Sequence, residues 1–331
     1  MNIRNRRALK LEAAASLSGS RNHKKIVAVY MGVTTALAVL VTVLDLVLGN
    51  MVGSTGGLSN LGNRAILETV QMALPIFQSA ILIFWEMGYL QAMLDVSRDR
   101  RTDQRTLTQG FSHFGPVLRL TLLMLLYYGS LLVLGIYTGT MLFMLTPYAE
   151  PVVNAVNAAP TASMLTGEVM ITDELLLAVD GAMLPMMLIC GGVFALLALP
   201  VYYRFRFARL CLLDNPGGGA LAALRKSAKM TRGNRMQLFK LDLSFWWLYL
   251  LELLAGALIY ADVFLAMAGI TLPVAPIVAE FASYGLYLLV YFGICYAYLN
   301  YRTVTWAKAY EAMLPPEQPV GGVVLGNIFQ M

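Results

Sequence analysis

Residues 26–49 read IVAVYMGVTTALAVLVTVLDLVLG, and Asp45, near the far end, is the only charge in the run. A helix that crosses the hydrocarbon core of a bilayer needs about 20 mostly apolar residues, and this stretch supplies them. A secretory signal would have an apolar region of roughly 7–15 residues and a small-x-small cleavage site. The run is longer, and Asp45-Leu46-Val47-Leu48-Gly49 offers no such site. It reads as an uncleaved first span.

Working outward, five more stretches have the same character, at 65–95, 115–145, 180–210, 236–268 and 277–310. Several exceed the minimum, so tilt or extension beyond the bilayer is expected. Composition agrees: of 331 residues 58% are hydrophobic and only 13% charged, with a mean hydropathy of +0.66. A soluble domain carries about 25% charged residues, so the excess apolar surface here must face lipid. The expected fold is all-α, a polytopic membrane helical bundle of about six spanning helices. Residues 1–25 form a basic amphipathic opening, 26–310 the membrane domain, and 311–331 a Pro- and Gly-containing flexible tail.

Orientation follows from the connections. Arg4, Arg6, Arg7, Lys10, Arg21, Lys24 and Lys25 precede the first span, and Arg98, Arg100, Arg101 and Arg105 follow the second. Arg204, Arg206, Arg209, Arg225, Lys226, Lys229, Arg232 and Arg235 surround the turn after the fourth. By contrast, residues 146–180 hold Glu150, Glu168, Asp173, Glu174 and Asp180 with no Lys or Arg. The positive-inside rule then places both termini in the cytoplasm and the protein in the cell membrane. The net charge of +5 is spent on this asymmetry rather than on one basic face, which argues against nucleic acid as a partner.

Each inward-to-outward span is preceded by a short amphipathic segment. Leu9, Ala13 and Leu17 share a face before the first, and Leu107, Phe111, Phe114 and Leu118 before the third. Before the fifth, Asn215 can cap a helix with Pro216 at its first position. Leu221, Leu224 and Ala228 then line one face and Arg225, Lys226 and Lys229 the other. Such helices either lie among anionic headgroups or fold back as elbows packed on the bundle. A gapless echo at an offset of 119 pairs Leu94-Asp95 with Leu213-Asp214 and Tyr127-Tyr128 with Trp246-Trp247. A parallel internal duplication about an axis along the membrane normal would produce it.

The stretch Asp214-Asn215-Pro216, Ala223-Leu224, Ser227, Met230, Gly233-Asn234, Phe239, Leu243-Ser244-Phe245 and Trp247 resembles domain-of-unknown-function family 975, a family of uncharacterised bacterial integral membrane proteins. Leu9-Lys10, Ala13, Leu17 and Gly19 match its basic opening helix. More remotely the chain is similar to membrane domains attached to glycerophosphodiester phosphodiesterases. It departs from the family after the fifth span, where a short Pro-Tyr motif is absent. The family has no established activity, so the resemblance implies fold and location rather than a reaction.

Acidic groups within spans are the sharpest functional pointers, because a charge near a helix centre costs about 2.5–3.5 kcal/mol on insertion scales and normally faces protein or a water-filled cavity. Glu86 and Glu252 stand out, with Asp45, Asp242, Asp262 and Glu280 nearer the ends. Gln71, Gln78 and Glu86 share one face; so do Asp242, Tyr249 and Glu252; so do Glu280, Tyr284, Tyr287, Tyr291 and Tyr298, leading to Arg302. Stripes meeting at the centre would make a polar seam of Gln78, Glu86, Asp242, Tyr249, Glu252, Tyr284, Tyr287 and Tyr291. That seam is either a pathway for a solute, proton or lipid headgroup, or interhelical hydrogen bonding with tyrosines filling space. Arg204, Arg206 and Arg209 could pair with such acids, but topology alone accounts for them better. The Gly191-Gly192 pair is expected to permit close helix packing.

No H-E-x-x-H, G-x-S-x-G or Walker loop occurs, and Cys190, Cys211 and Cys295 are dispersed. No cofactor, metal or catalytic residue is expected. The first expectation is a non-enzymatic scaffold or accessory protein, with Arg225, Lys226 and Lys229 on lipid headgroups and room for a protein partner. The alternative is a small transporter or lipid-handling protein with a central polar cavity. Oligomeric state is not encoded legibly.

Overall fold

The computed structural model describes residues 5–54, 61–158, 173–267, 269 and 276–314. The tail beyond Leu314, expected from the sequence to be flexible, and the centre of the acidic connection lie outside these residues, as do the side chains of Asp262 and Glu280. In chain order the helices are α1 (Arg6–Gly19), α2 (His23–Ser54), α3 (Leu61–Ser97), the single turn α4 (Gln109–Ser112), α5 (Phe114–Phe143), α6 (Glu150–Ala158) and α7 (Asp173–Phe205). Then follow α8 (Ala208–Asp214), α9 (Gly219–Met230), α10 (Arg235–Leu243), α11 (Trp246–Ala257), α12 (Ala261–Met267) and α13 (Pro276–Glu311). Among the described residues there is no strand. Five helical stretches are long and apolar enough to cross a membrane, or six if α10 and α11, bent by 55°, are counted as one span.

Helix length explains the architecture. α3 has 37 residues and α13 has 36, about 55 Å each at 1.5 Å per residue, against a hydrocarbon core of about 30 Å. Each long helix therefore divides in two. The outer parts leave large apolar side chains uncovered, such as Leu40 and Val47 on α2, Met72 and Ile76 on α3, Leu126 and Val133 on α5, Leu184 and Leu196 on α7, and Leu289 on α13. The other ends pack into a dry core that includes Leu9, Met87, Leu120, Phe207, Leu238, Phe245 and Tyr310. Both described chain ends belong to this basic end of the bundle, which we call the base.

Pairs of charges tie the base together. Arg98, just after α3, grips Asp214 at the end of α8 with two N–H groups at 2.7 and 3.0 Å. Tyr310 on α13 donates to the same carboxylate at 2.5 Å. Arg98 Nε and Ser97 Oγ donate to Glu311 at 3.1 and 3.0 Å. Hydrogen bonding to Asp214 holds the Arg98 guanidinium above its ordinary, already high pKa, so Arg98 remains a cation in the clamp. At the 119-residue offset, Asp95 also ends its helix near an arginine, Arg100 at 3.7 Å. The order span, acidic turn, short helix, span recurs, although α5 runs unbroken where its counterpart is the bent α10–α11 pair.

The bend corrects the reading of 236–268 as one helix. α10 carries Arg235, Lys240 and Asp242, each too costly for hydrocarbon, so it packs in the base and the span restarts at Trp246. The carbonyls of Lys240, Leu241 and Asp242 accept from the backbone N–H groups of Ser244 and Phe245, and the turn still has room for further donors. α1 adds side-chain donors to this turn: Arg6 donates to Lys240 O at 3.2 Å and Lys10 to Ser244 O at 3.0 Å, with Lys10 Nζ 4.0 Å from the Phe245 ring centre. Burial, then the neighbouring Arg6 charge, lowers the pKa of the Lys10 ammonium.

The amphipathic segments are elbows packed on the bundle. α1 buries Leu9, Ala13, Ser16 and Leu17, largely the expected face. α9 instead buries its small residues Ala220, Ala223 and Ser227, with Leu224 and Ala228 only partly covered and Leu221 exposed. The single face expected for Leu107, Phe111, Phe114 and Leu118 does not form, because a 3-10 turn (Gln104–Thr108), α4 and a break at His113 interrupt it. Leu107 is fully buried while Phe111 and Phe114 lie at the surface, against Phe84.

α5 and α7 make the tightest long pair, and the expected contact at Gly191-Gly192 is not there: neither glycine has a neighbour within 4 Å of where a Cβ would stand. The close approach comes from Gly135 and Gly139, a small-xxx-small pair in α5. A Cβ on Gly139 would lie 2.6 Å from Cys190 Cα and one on Gly135 3.0 Å from Phe194 Cβ. Gly139→Val is expected to destabilise by about 2 kcal/mol through overpacking, while Gly191→Ala and Gly192→Ala are neutral. Thermal melts in detergent check this; equal midpoints for all three variants would contradict it.

Candidate functional site

Four of the predicted polar residues, Glu86, Asp242, Tyr249 and Glu252, lie where the apolar parts of the helices meet the base, and the break between α7 and α8 brings arginines to the first two. At that break the Arg204 carbonyl is taken by two hydroxyls of α9, Ser227 and Thr231, each at 3.1 Å, while Phe207 N–H donates to Ser227 Oγ at 3.3 Å. With the turn's backbone satisfied, Arg206 and Arg209 reach across toward α3, α10 and α13.

Three carboxylates of the predicted seam meet arginines. Arg209 Nη1 donates to Glu86 at 2.5 Å. Arg302 Nη1, on α13, donates to Glu252 at 3.0 Å and lies 5.5 Å from the Tyr249 ring centre. Asp242 is buried, accepts from Tyr203 at 3.0 Å and Tyr249 at 3.1 Å, and lies 3.7 Å from Arg206 Nη2. The Arg206 guanidinium stands 4.1 Å from the Trp306 ring centre and 4.9 Å from that of Tyr202, and donates to the Tyr202 hydroxyl. The expectation that topology alone places these arginines is thereby corrected for Arg206 and Arg209. Both serve as counter-ions, because an acid near the edge of the apolar zone is far less costly beside a cation. Arg204 makes no ion pair among the described residues and lies against the Phe205 ring.

The seam is not one continuous stripe. Tyr284, Tyr287 and Tyr291 form a ladder of rings 6.0 and 5.6 Å apart along α13, and the Thr42 hydroxyl donates to the Tyr284 hydroxyl at 3.4 Å. Tyr298 leaves the ladder and packs edge-on against Trp247. Gln78 makes no hydrogen bond among the described residues. What does converge is a cavity of about 220 Å³ between α3, the α7–α8 break and α13, lined by Glu86, Arg206, Arg209, Arg302, Thr303 and Trp306 among others. Trp306 carried no sequence signal; Arg302 did, as the end point of the tyrosine stripe. A wider notch of about 550 Å³ opens at the surface of the base beside Arg21, Arg100 and Arg101.

The predicted headgroup contacts lie elsewhere. Arg225, Lys226 and Lys229 are all exposed on α9 and make no ion pair among the described residues. Asn215 caps as expected, its Oδ1 accepting from Gly218 N at 3.2 Å, but it closes a 3-10 turn over Pro216–Gly218 and the α-helix starts at Gly219. Cys211 and Cys295 are buried, Cys190 half-buried against Gly139, and all three are free thiols.

No curated protein and no solved structure matches the chain. The residues of the α7–α9 junction that carry the sequence resemblance, Asp214, Asn215 and Ser227, are the same ones that clamp, cap and turn the base. Over residues 1–314 the chain matches the family described as "Protein of unknown function (DUF975)", and it belongs to that family.

Proposed function

We propose that this protein is a non-enzymatic integral membrane scaffold of the cell membrane, with both termini and the packed base on the cytoplasmic side. The observation that carries this reading is the exposed cationic face of α9, Arg225, Lys226 and Lys229, presented by a helix whose other side is packed into the base. Anionic headgroups attract such cations by about 1 kcal/mol per residue near the surface. A fixed basic face also offers a landing surface for an acidic protein partner. The pairing of Glu86, Asp242 and Glu252 with arginines favours structural service over proton or solute movement.

The test is reconstitution into vesicles of phosphatidylcholine with a minority of phosphatidylglycerol, followed by extraction and analysis of retained lipid. Arg225→Glu, Lys226→Glu and Lys229→Glu together are expected to reduce anionic-lipid enrichment several-fold with the melting midpoint unchanged. Unaltered enrichment would remove the basis for the proposal.

A second reading, a small transporter or lipid-handling protein, is favoured by the arginine-lined cavity. It requires activity to collapse in Glu86→Gln and Glu252→Gln, whereas the scaffold reading has both variants functional.

A further inference from the structure

We infer that the cavity between α3, the α7–α8 break and α13 is a binding site for one phosphate group, either the headgroup of an anionic phospholipid or a free phosphate. This goes beyond the scaffold reading and needs none of the α9 cations.

The argument is one of unmatched donors. Three guanidinium groups, Arg206, Arg209 and Arg302, line the cavity with a single carboxylate, Glu86. Asp242 and Glu252 touch Arg206 and Arg302 from outside that lining. A guanidinium carries five N–H donors, yet among the described residues each of these has one hydrogen bond to a protein acceptor: Arg209 to Glu86, Arg302 to Glu252 and Arg206 to Tyr202. Trp306 lines the same cavity with 5% of its surface exposed; its indole N–H is sealed from solvent and has no acceptor among the described residues. A buried donor left unpaired costs about 1–3 kcal/mol. The lining therefore sets three guanidinium groups against one carboxylate, with Tyr30, Tyr89 and Thr303 adding only hydroxyls.

The missing partner is a compact group rich in acceptor oxygens, and phosphate fits the fork geometry of arginine better than a diffuse anion does. Depth agrees. Counting about 20 residues of α3 inward from the exposed Arg64–Glu68 pair brings the chain to the level of Glu86, at the edge of the hydrocarbon. Headgroup phosphates sit at that depth, and basic pockets between spanning helices are a known way of holding them.

The full-length protein, stripped of lipid by detergent exchange, would be titrated with short-chain phosphatidylglycerol and, separately, with inorganic phosphate. Tryptophan fluorescence and native mass spectrometry are the readouts. Saturable binding at one equivalent is expected for at least one probe, weakened about ten-fold in Arg209→Gln and several-fold in Trp306→Phe. The fluorescence change should be largely lost in Trp306→Phe, and binding should persist in the triple α9 charge reversal. A response to phosphatidylglycerol alone assigns a lipid headgroup, and a response to inorganic phosphate assigns a soluble ligand. If Arg209→Gln fails to stay monodisperse, Trp306→Phe decides, since it keeps an aromatic ring beside Arg206 while removing the indole N–H together with the second ring. The inference is overturned if neither probe saturates, or if binding is unchanged in the variants that remain folded.

Discussion

Gly88→Ala and Gly110→Ala are each expected to lower the melting midpoint by about 6–12 °C, the equivalent of about 3 kcal/mol at this size. A methyl group on Gly88 would stand 1.8 Å from the Leu107 carbonyl oxygen, and one on Gly110 1.9 Å from the Phe84 carbonyl oxygen. Both collisions are with backbone, so no rotamer change relieves them. Gly88 is in the interior of α3, where alanine would otherwise be favoured by about 1 kcal/mol, and the contact must overcome that gain to give the expected sign. The control is Gly32→Ala in α2, with nothing within 4 Å, which should melt at or slightly above the parent temperature. Parental midpoints for Gly88→Ala and Gly110→Ala would show that the 104–112 segment is not seated on α3.

Loss of the Asp214 carboxylate is the second large effect. Asp214→Ala removes the acceptor of two Arg98 N–H groups and of the Tyr310 hydroxyl, and is expected to cost about 2–3 kcal/mol. The side chains of Arg98 and Asp214 are only 22% and 18% exposed, so water replaces the lost partner poorly. The Arg64–Glu68 pair, at 54% and 43% exposed, should be worth at most about 0.5 kcal/mol. A double-mutant cycle on Arg98→Ala and Asp214→Ala, followed by denaturation in detergent, should give a coupling of about 1–3 kcal/mol. Additive effects would mean that the clamp contributes nothing as a unit.

Much of the fold was legible before any coordinate. The α2 run with its single Asp45, and the alternation of basic connections with ones poor in Lys and Arg, required a multi-pass helical bundle, because hydrocarbon tolerates neither charge nor unpaired backbone. The candidate site was legible in composition but not in pairing. Glu86, Asp242 and Glu252 were identifiable because acids in apolar runs are conspicuous. Arg302 was flagged as the end of the tyrosine stripe, but the pairing of Arg209 and Arg206 was not, because the positive-inside rule already explains basic residues at helix ends. Gly135 and Gly139 were passed over for Gly191-Gly192 because a glycine does not announce which way it faces.

The sequence by itself determined the solvent of this chain, and with it the class of fold: runs of about 20 apolar residues must lie in lipid. Only the tertiary structure decided where each helix stops being a span and becomes part of the base. It also decided that α10 turns aside, that α9 packs by its small residues, and that three arginines from two segments surround one cavity. Those outcomes rest on contacts between residues far apart in sequence, and local hydropathy carries no information about them.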